Sequence, residues 1–188
     1  MDLAAKLEVF CPCNPQEAAD RAEILRRLQS GEALTRREPS AHLTASAWVV
    51  SPDRTQVLMA YHNLYDSWAW LGGHADGEED LLAVAMREVR EESGLEKIHP
   101  VSEDIFSVEI LAVSGHEKKG VYVPSHLHLN VTFLLEADPT EPLRCKIDEN
   151  SRLGWFSPEE AVEASAEPWF RHWVYPKLNE QVRRLYRI

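Results

Sequence analysis

The sequence predicts a single α/β domain with one helical appendage. Three observations carry that expectation. Segments rich in β-formers alternate with segments of helical period, in the order expected of helices packed on a mixed sheet. A chain of 188 residues with 44% hydrophobic content fits one domain with a full core. No internal repeat or low-complexity stretch interrupts it.

Residues 1–38 differ in texture from the rest. Pro15 stands where a helix begins, and Ala18, Ala22, Leu25 and Leu28 keep an apolar stripe at helical spacing until Gly31 stops it. Residues 36–40, Arg-Arg-Glu-Pro-Ser, are polar and proline-broken and read as a connector. About 35 residues cannot hold a core alone, so 1–38 is expected as a helical extension packed on a main domain over 39–188.

From residue 42 to 50 the chain is β-rich, Pro52-Asp53 signals a turn, and 56–62 forms the second arm of a hairpin. Trp68-Ala69-Trp70-Leu71 then runs into Gly72-Gly73. A long helix is expected over 78–93, with Asp76 and Glu79 as a capping box and Gly94 at the left-handed position past its end. Leu82, Met86 and Val89 supply its core stripe. Strands follow at 105–113 and 127–136, with 115–125 as a flexible loop between them. Gly154-Trp155-Phe156 is a last short strand, and Ser157-Pro158-Glu159-Glu160 is a strong helix start. The chain closes with a helix over 168–186.

Composition narrows the function. Lysine and arginine number 20 against 31 acidic residues, a net charge of −11. That balance argues against an extended nucleic-acid groove, and it admits a small anionic substrate only where a local feature overcomes the repulsive field. Cys11, Cys13 and Cys145 are too few and too scattered for a disulfide framework, which suits a reducing cytoplasm. Cys11-Pro-Cys13 is too tightly spaced for a zinc knuckle and reads as two incidental thiols. No signal-peptide pattern and no window of ~20 apolar residues is present, so a cytoplasmic protein without membrane contact is expected. Oligomeric state is left open.

The 78–93 helix carries the chemistry. Opposite its expected apolar stripe, Glu88, Glu91 and Glu92 span about 100° of arc, so three carboxylates converge within one turn. Arg87 precedes Glu91 by four and is placed to pin it. Taken alone, Glu-x-x-Glu-Glu is ordinary decoration of a solvated helix. As a cluster it suits a hard divalent cation such as Mg²⁺, which takes oxygen ligands and leaves positions for substrate phosphates.

The cluster sits inside a longer pattern: Gly73, five residues, Glu79, seven residues, then Arg87-Glu88-Val89-Arg90-Glu91-Glu92-Ser93-Gly94-Leu95. That matches G-x5-E-x7-R-E-U-x-E-E-x-G-U, with U apolar, at every specified position, and the chain therefore resembles the Nudix hydrolases. Residues 154–160 also resemble the strand-to-helix passage late in that domain. The resemblance implies an α/β/α sandwich around a mixed sheet and hydrolysis of the diphosphate linkage in a nucleoside diphosphate joined to another group. It implies Mg²⁺ (or Mn²⁺) as cofactor, held by Glu88, Glu91 and Glu92 with the Gly72 carbonyl, while Glu79 and Arg87 keep loop and helix in register. Two positions depart from many relatives: Leu71 stands where proline is common, and Glu78 where glycine is common.

Glu92 is the first choice for activating water, with Glu136, Asp148 and Glu149 as competing bases. His126 and His128 alternate on a strand and share a face; a second metal site there lacks a third ligand. Trp68 and Trp70 are candidates for stacking on a base, and His74, His126 and His128 for contact with substrate. Two rival functions are a non-catalytic ligand sensor of the same fold and an isoprenoid diphosphate isomerase. The isomerase lacks a suitable cysteine, since Cys145 lies in an unsupportive context. Which diphosphate is the substrate depends on loops outside the motif, which carry no signature.

Overall fold

A computed structural model describes residues 2–32, 34, 40–118, 120–146 and 150–187. Residues 36–39 of the expected 36–40 connector and the candidate bases Asp148 and Glu149 lie outside the described residues. Two helices open the chain, α1 (Leu3–Val9) and α2 (Pro15–Gln29). Strands β1 (Ala41–Val50), β2 (Val57–His62), β3 (Ser67–Ala69) and β4 (Leu71–His74) lead into α3 (Leu81–Ser93). Then come β5 (Ile98–Pro100), β6 (Ser107–Val113), β7 (His116–Lys118), β8 (Val121–Val123), β9 (His126–Ala137) and β10 (Asn150–Phe156). Helix α4 (Pro158–Ala164), a π-helical turn (Phe170–Val174) and α5 (Tyr175–Tyr186) close the chain.

The main sheet runs β10-β2-β1-β9-β5, with β3 on β2, β4 on β1 and β6 on β9. Strand β1 is its axis. It pairs in parallel with β9 along its whole length, from Ala41↔Leu127 to Val50↔Glu136. Its other edge is shared, with β4 antiparallel over Thr44↔His74 to Ala47↔Leu71 and β2 joining at Val50↔Val57. Nine of the ten β1 residues are buried, as a strand covered on both faces must be.

On one face, Ala45, Ala47 and Val49 of β1 join Leu129, Val131, Phe133 and Leu135 of β9 beneath α3, and Leu7 and Ile24 bring α1 and α2 into the same core. On the other face Trp48, Val50 and Leu134 meet Ala161 of α4 and Tyr175, Leu178 and Val182 of α5. Helices therefore cover both faces of a mixed sheet, the α/β sandwich the sequence predicts.

The second face turns polar along the same strands. Asn130 Oδ1 accepts from the hydroxyls of Thr44 and Ser46, both at 2.9 Å, and its Nδ2 donates to Glu109 at 3.1 Å. Glu109 and Glu17 are fully buried and share Lys177, whose Nζ lies 2.8 and 3.1 Å from their carboxylates. Burial works against ionising Glu17, but Lys177, the Cys13 N–H and the Ser107 hydroxyl outweigh it and hold its pKa below the usual value. Burial likewise opposes the Lys177 charge, yet Glu109 and Glu17 raise its pKa. This buried network joins α2, β6 and α5.

Local expectations shift in four places. Helix α1 has no counterpart among the sequence expectations; Asp2 caps it by accepting from the Ala5 N–H at 2.8 Å. The expected loop at 115–125 contains a hairpin, β7 against β8, registered His116↔Val123 to Lys118↔Val121. Asp80, not an Asp76–Glu79 box, caps α3 by accepting from Ala83, because Asp76 and Gly77 take left-handed conformations that keep the loop non-helical. Finally, the buried face of α3 is Leu81, Val84, Ala85, Val89 and Glu92, with Leu82 and Met86 on its flank. The later helix start and the sheet beneath it rotate the core face by about one residue.

Candidate functional site

That rotation relocates the carboxylates. Glu88 and Glu92 do not lie opposite the core face of α3; they continue it, each one turn beyond Val84 or Ala85 and Glu88 respectively. They tuck under the sheet where β4 offers glycine instead of side chains. A Cβ on Gly73 would lie 2.5 Å from the Glu88 carboxyl carbon. A Cβ on Gly72 would lie 2.5 Å from the Ala45 carbonyl oxygen, so β4 approaches β1 too closely there for any side chain. The Gly-Gly pair thus makes the space in which two acidic groups meet the sheet.

Glu92 is 8% exposed and held at both oxygens. Oε2 accepts from the Gly72 N–H at 3.1 Å, and Oε1 accepts from Asn150 Nδ2 at 2.9 Å. Glu88 is half-buried, with Arg87 Nη2 at 3.1 Å. Glu91 is exposed and takes its close partner from elsewhere, Lys146 Nζ at 2.9 Å; Arg87 Nε stands 4.0 Å from it. The expected Arg87–Glu91 clamp is therefore mainly an Arg87–Glu88 pair, because the inward tilt of Glu88 brings it under the guanidinium. Residues 144–146 run along the end of α3, where Arg144 N donates to Ser93 O at 2.7 Å and Lys146 N to Glu92 O at 3.3 Å. Burial, then the nearby Glu92 charge, pushes the Cys145 thiol pKa up.

Glu79 is exposed in the loop before α3 and lines an open hollow with Arg87 and residues 75–78. Among the described residues no ion pair joins Glu79 to Arg87. Glu78 accepts from the N–H groups of Glu79 and Asp80 at 3.0 and 3.1 Å and so braces this loop with a side chain. Of the competing bases, Glu136 pairs with Arg54 at 2.5 Å. It sits beside Val50, four residues along β1 from the Ser46↔Gly72 pair, roughly 13 Å away.

Trp68 packs edge-on against Phe156, with ring centroids 4.8 Å apart, and the Arg152 guanidinium lies 5.3 Å from its ring. Trp70 meets Phe170 and Tyr175 edge-on, and its backbone N–H donates to the Tyr175 hydroxyl at 3.2 Å. Both rings are partly buried and pack against the core beneath α5.

The histidines come together. His74 ends β4, His126 and His128 begin β9, and His42 of β1 stands among them, with centroids 4.9 Å from each of the other three. His126 Nε2 lies 3.2 Å from His128 Nε2, and His126 Nδ1 lies 2.8 Å from the Pro124 carbonyl. Burial first, then the neighbouring imidazoles, drives the His128 pKa down to about 2. Sequence reasoning missed His42, which sits in an unremarkable β-rich run. Its signal is the sheet register His42↔His128, invisible until β1 is paired with β9.

The NUDIX domain family matches residues 41–176. No curated protein matches the sequence. Among solved structures, an Ap4A hydrolase of C. elegans in a binary complex is 19% identical with a TM-score of 0.54, over 77% of this chain and 97% of that one. A NUDIX-family hydrolase from Clostridium perfringens is 20% identical at TM-score 0.53, with the same coverage. The dihydroneopterin triphosphate pyrophosphohydrolase of E. coli is 16% identical at 0.54, over 72% and 92%. At these identities the likeness is one of fold.

Proposed function

We propose, because the chain belongs to the NUDIX family, that it is a hydrolase of phosphoric anhydride bonds. Its substrate on this reading is a small molecule in which a nucleoside diphosphate is joined to another group, and its cofactor is Mg²⁺ or Mn²⁺. The observation that carries the reading is the seating of Glu88 and Glu92 against Gly72-Gly73. Two carboxylates are held half- to fully buried, in a cradle that one Cβ would fill, at the end of a helix whose third carboxylate, Glu91, faces solvent.

This donor set fits a hard divalent ion, since every side-chain ligand is a carboxylate oxygen. Glu88, Glu91 and Glu92 would hold it with the Gly72 carbonyl. When bound it would offset the negative charge of carboxylates and diphosphate together and polarise the phosphoryl oxygen. The residues supply the rest. Gly72 and Asn150 fix the Glu92 carboxylate in one orientation, which suits it to accept the proton of the attacking water. Arg87 and Lys146 balance Glu88 and Glu91, so that three acidic groups stay close on one helix. Trp68, Trp70, His74, His126 and His128 remain candidates for contact with the organic part of the substrate. The three cysteines are free. Among the described residues no helix is long and apolar enough to cross a membrane.

The test is a panel of nucleoside triphosphates, nucleotide sugars, ADP-ribose, dinucleoside polyphosphates, dihydroneopterin triphosphate and coenzyme A, each with Mg²⁺ or Mn²⁺ and products identified by mass. Cleavage within a phosphate chain, lost on chelation of the divalent ion, is the expected result. Binding without turnover across the panel would overturn it in favour of a sensor.

A further inference from the structure

The histidine cluster is chemically unlike the carboxylate site and lies on the other side of β4. Successive residues of a strand face opposite sides. Gly73 faces Glu88 of α3, so the next residue, His74, faces the opposite layer. There it meets His42 and His128. One ring nitrogen from each of the three lies within 4.8 Å of the others.

The three residues come from three hydrogen-bonded strands. The registers His42↔His128 and Thr44↔His74 fix their backbones without any loop. A tetrahedral ion with bonds of about 2.0–2.1 Å to nitrogen separates its ligands by roughly 3.3 Å, so ring rotations of about an ångström close the site.

His126 completes the arrangement from outside. Its Nδ1–H donates to the Pro124 carbonyl, which leaves Nε2 as an acceptor facing His128 Nε2 at 3.2 Å. In the neutral pair this arrangement places the shared proton on His128 Nε2, which would leave Nδ1 of His128 as the nitrogen for a cation. A carbonyl–histidine–histidine relay of this kind sets tautomer and ring direction, as outer partners of metal-binding histidines do. Among the described residues the three ligand positions are all imidazoles. Neutral imidazoles alone suit first-row transition ions of borderline softness and suit Mg²⁺ poorly.

We propose that His42, His74 and His128 bind one divalent transition ion, with Zn²⁺ as the type, at a second site separate from the α3 carboxylates, and that His126 orients His128. The ion would clip β1, β4 and β9 together at the end of the sheet from which β4 carries Gly72 and Gly73 to the acidic residues. This reading is independent of the proposed hydrolase activity, and its test measures metal instead of turnover.

The untagged full chain, stripped by a chelator, is titrated with Zn²⁺ by calorimetry in excess Mg²⁺, and separately with Co²⁺ by visible absorption. One equivalent of Zn²⁺ should bind despite the Mg²⁺, and Co²⁺ should give the intense visible bands of a tetrahedral nitrogen site. His42→Gln and His128→Gln should each weaken Zn²⁺ binding at least about 100-fold and His126→Gln about 10-fold, while Glu88→Gln and Glu92→Gln leave it unchanged. Far-ultraviolet circular dichroism checks that each variant is folded, and the wild-type Co²⁺ spectrum decides the matter if one is not. No stoichiometric Zn²⁺ binding in excess Mg²⁺, a weak octahedral Co²⁺ spectrum, or loss of Zn²⁺ binding in Glu92→Gln alone would overturn the proposal.

Discussion

Glu92 Oε2 accepts the backbone N–H of Gly72 at 3.1 Å, across twenty positions of sequence. That one bond couples the strand before the acidic helix to the helix itself. With Asn150 on the other oxygen, it makes Glu92 the most constrained of the three carboxylates.

Glu92→Gln and Glu88→Gln are each expected to lower turnover at least about 100-fold, since on the proposed reading each removes a charge that would fix the cation. Folding should survive. In Glu92→Gln the amide can satisfy either Gly72 or Asn150 but not both as before, a cost of about 1 kcal/mol. Steady-state kinetics and urea denaturation separate the two effects. Near-native turnover in Glu92→Gln would remove it both as ligand and as base.

The two glycines of β4 should respond differently to alanine. Gly73→Ala meets the Glu88 carboxylate, a flexible side-chain end that moves aside, so turnover should fall at least about tenfold with little change in stability. Gly72→Ala meets the Ala45 carbonyl and the Ser46 Cα, which cannot yield without parting two strands. About 2–3 kcal/mol of destabilisation is expected. Equal stability losses in urea would contradict this account of the cradle.

Lys177→Met should cost about 3–5 kcal/mol, because it leaves Glu17 and Glu109 buried without their cation. The pH dependence follows from the shifts. Glu17 has its pKa lowered by folding, so its contribution is present above the ordinary carboxylate pKa of 4.5 and fades as pH falls through the lowered value. Lys177 has its pKa raised, so its contribution is complete below 10.5 and fades as pH rises through the raised value. Urea midpoints across pH should show both losses in the wild type and smaller ones in Glu17→Gln/Lys177→Met, where Glu109 and the other carboxylates still titrate.

An acidic protein that takes an anionic substrate should depend on the cation for affinity. With a net charge of −11, the overall field repels a diphosphate. Calorimetry of a non-hydrolysable diphosphate analogue should show poor binding without Mg²⁺ and a substantial gain with it. Equal affinity in both conditions would transfer phosphate recognition to side chains such as His74.

The sequence by itself determined the acidic helix, its glycine stop at Gly94 and the capped start of α4 at Ser157, and it named the candidate carboxylates. These depend on period and spacing within a few turns of one segment, where local physics is sufficient. It also pointed to the mixed sheet, since strand and helix patterns alternate in order. Tertiary structure alone decided which way the helix faces. The spacing of Leu82, Met86 and Val89 allows a stripe one residue away from the one the sheet buries, and that small rotation puts Glu88 and Glu92 against Gly73 and Gly72. It decided also that Asn150 steadies Glu92, that Lys177 ties α5 to Glu17, and that His42 joins His74 and His128. Each of these pairs is separated by tens of residues and meets through strand register or helix docking. Those are set by burial of both sheet faces at once, a constraint that no local window of sequence contains.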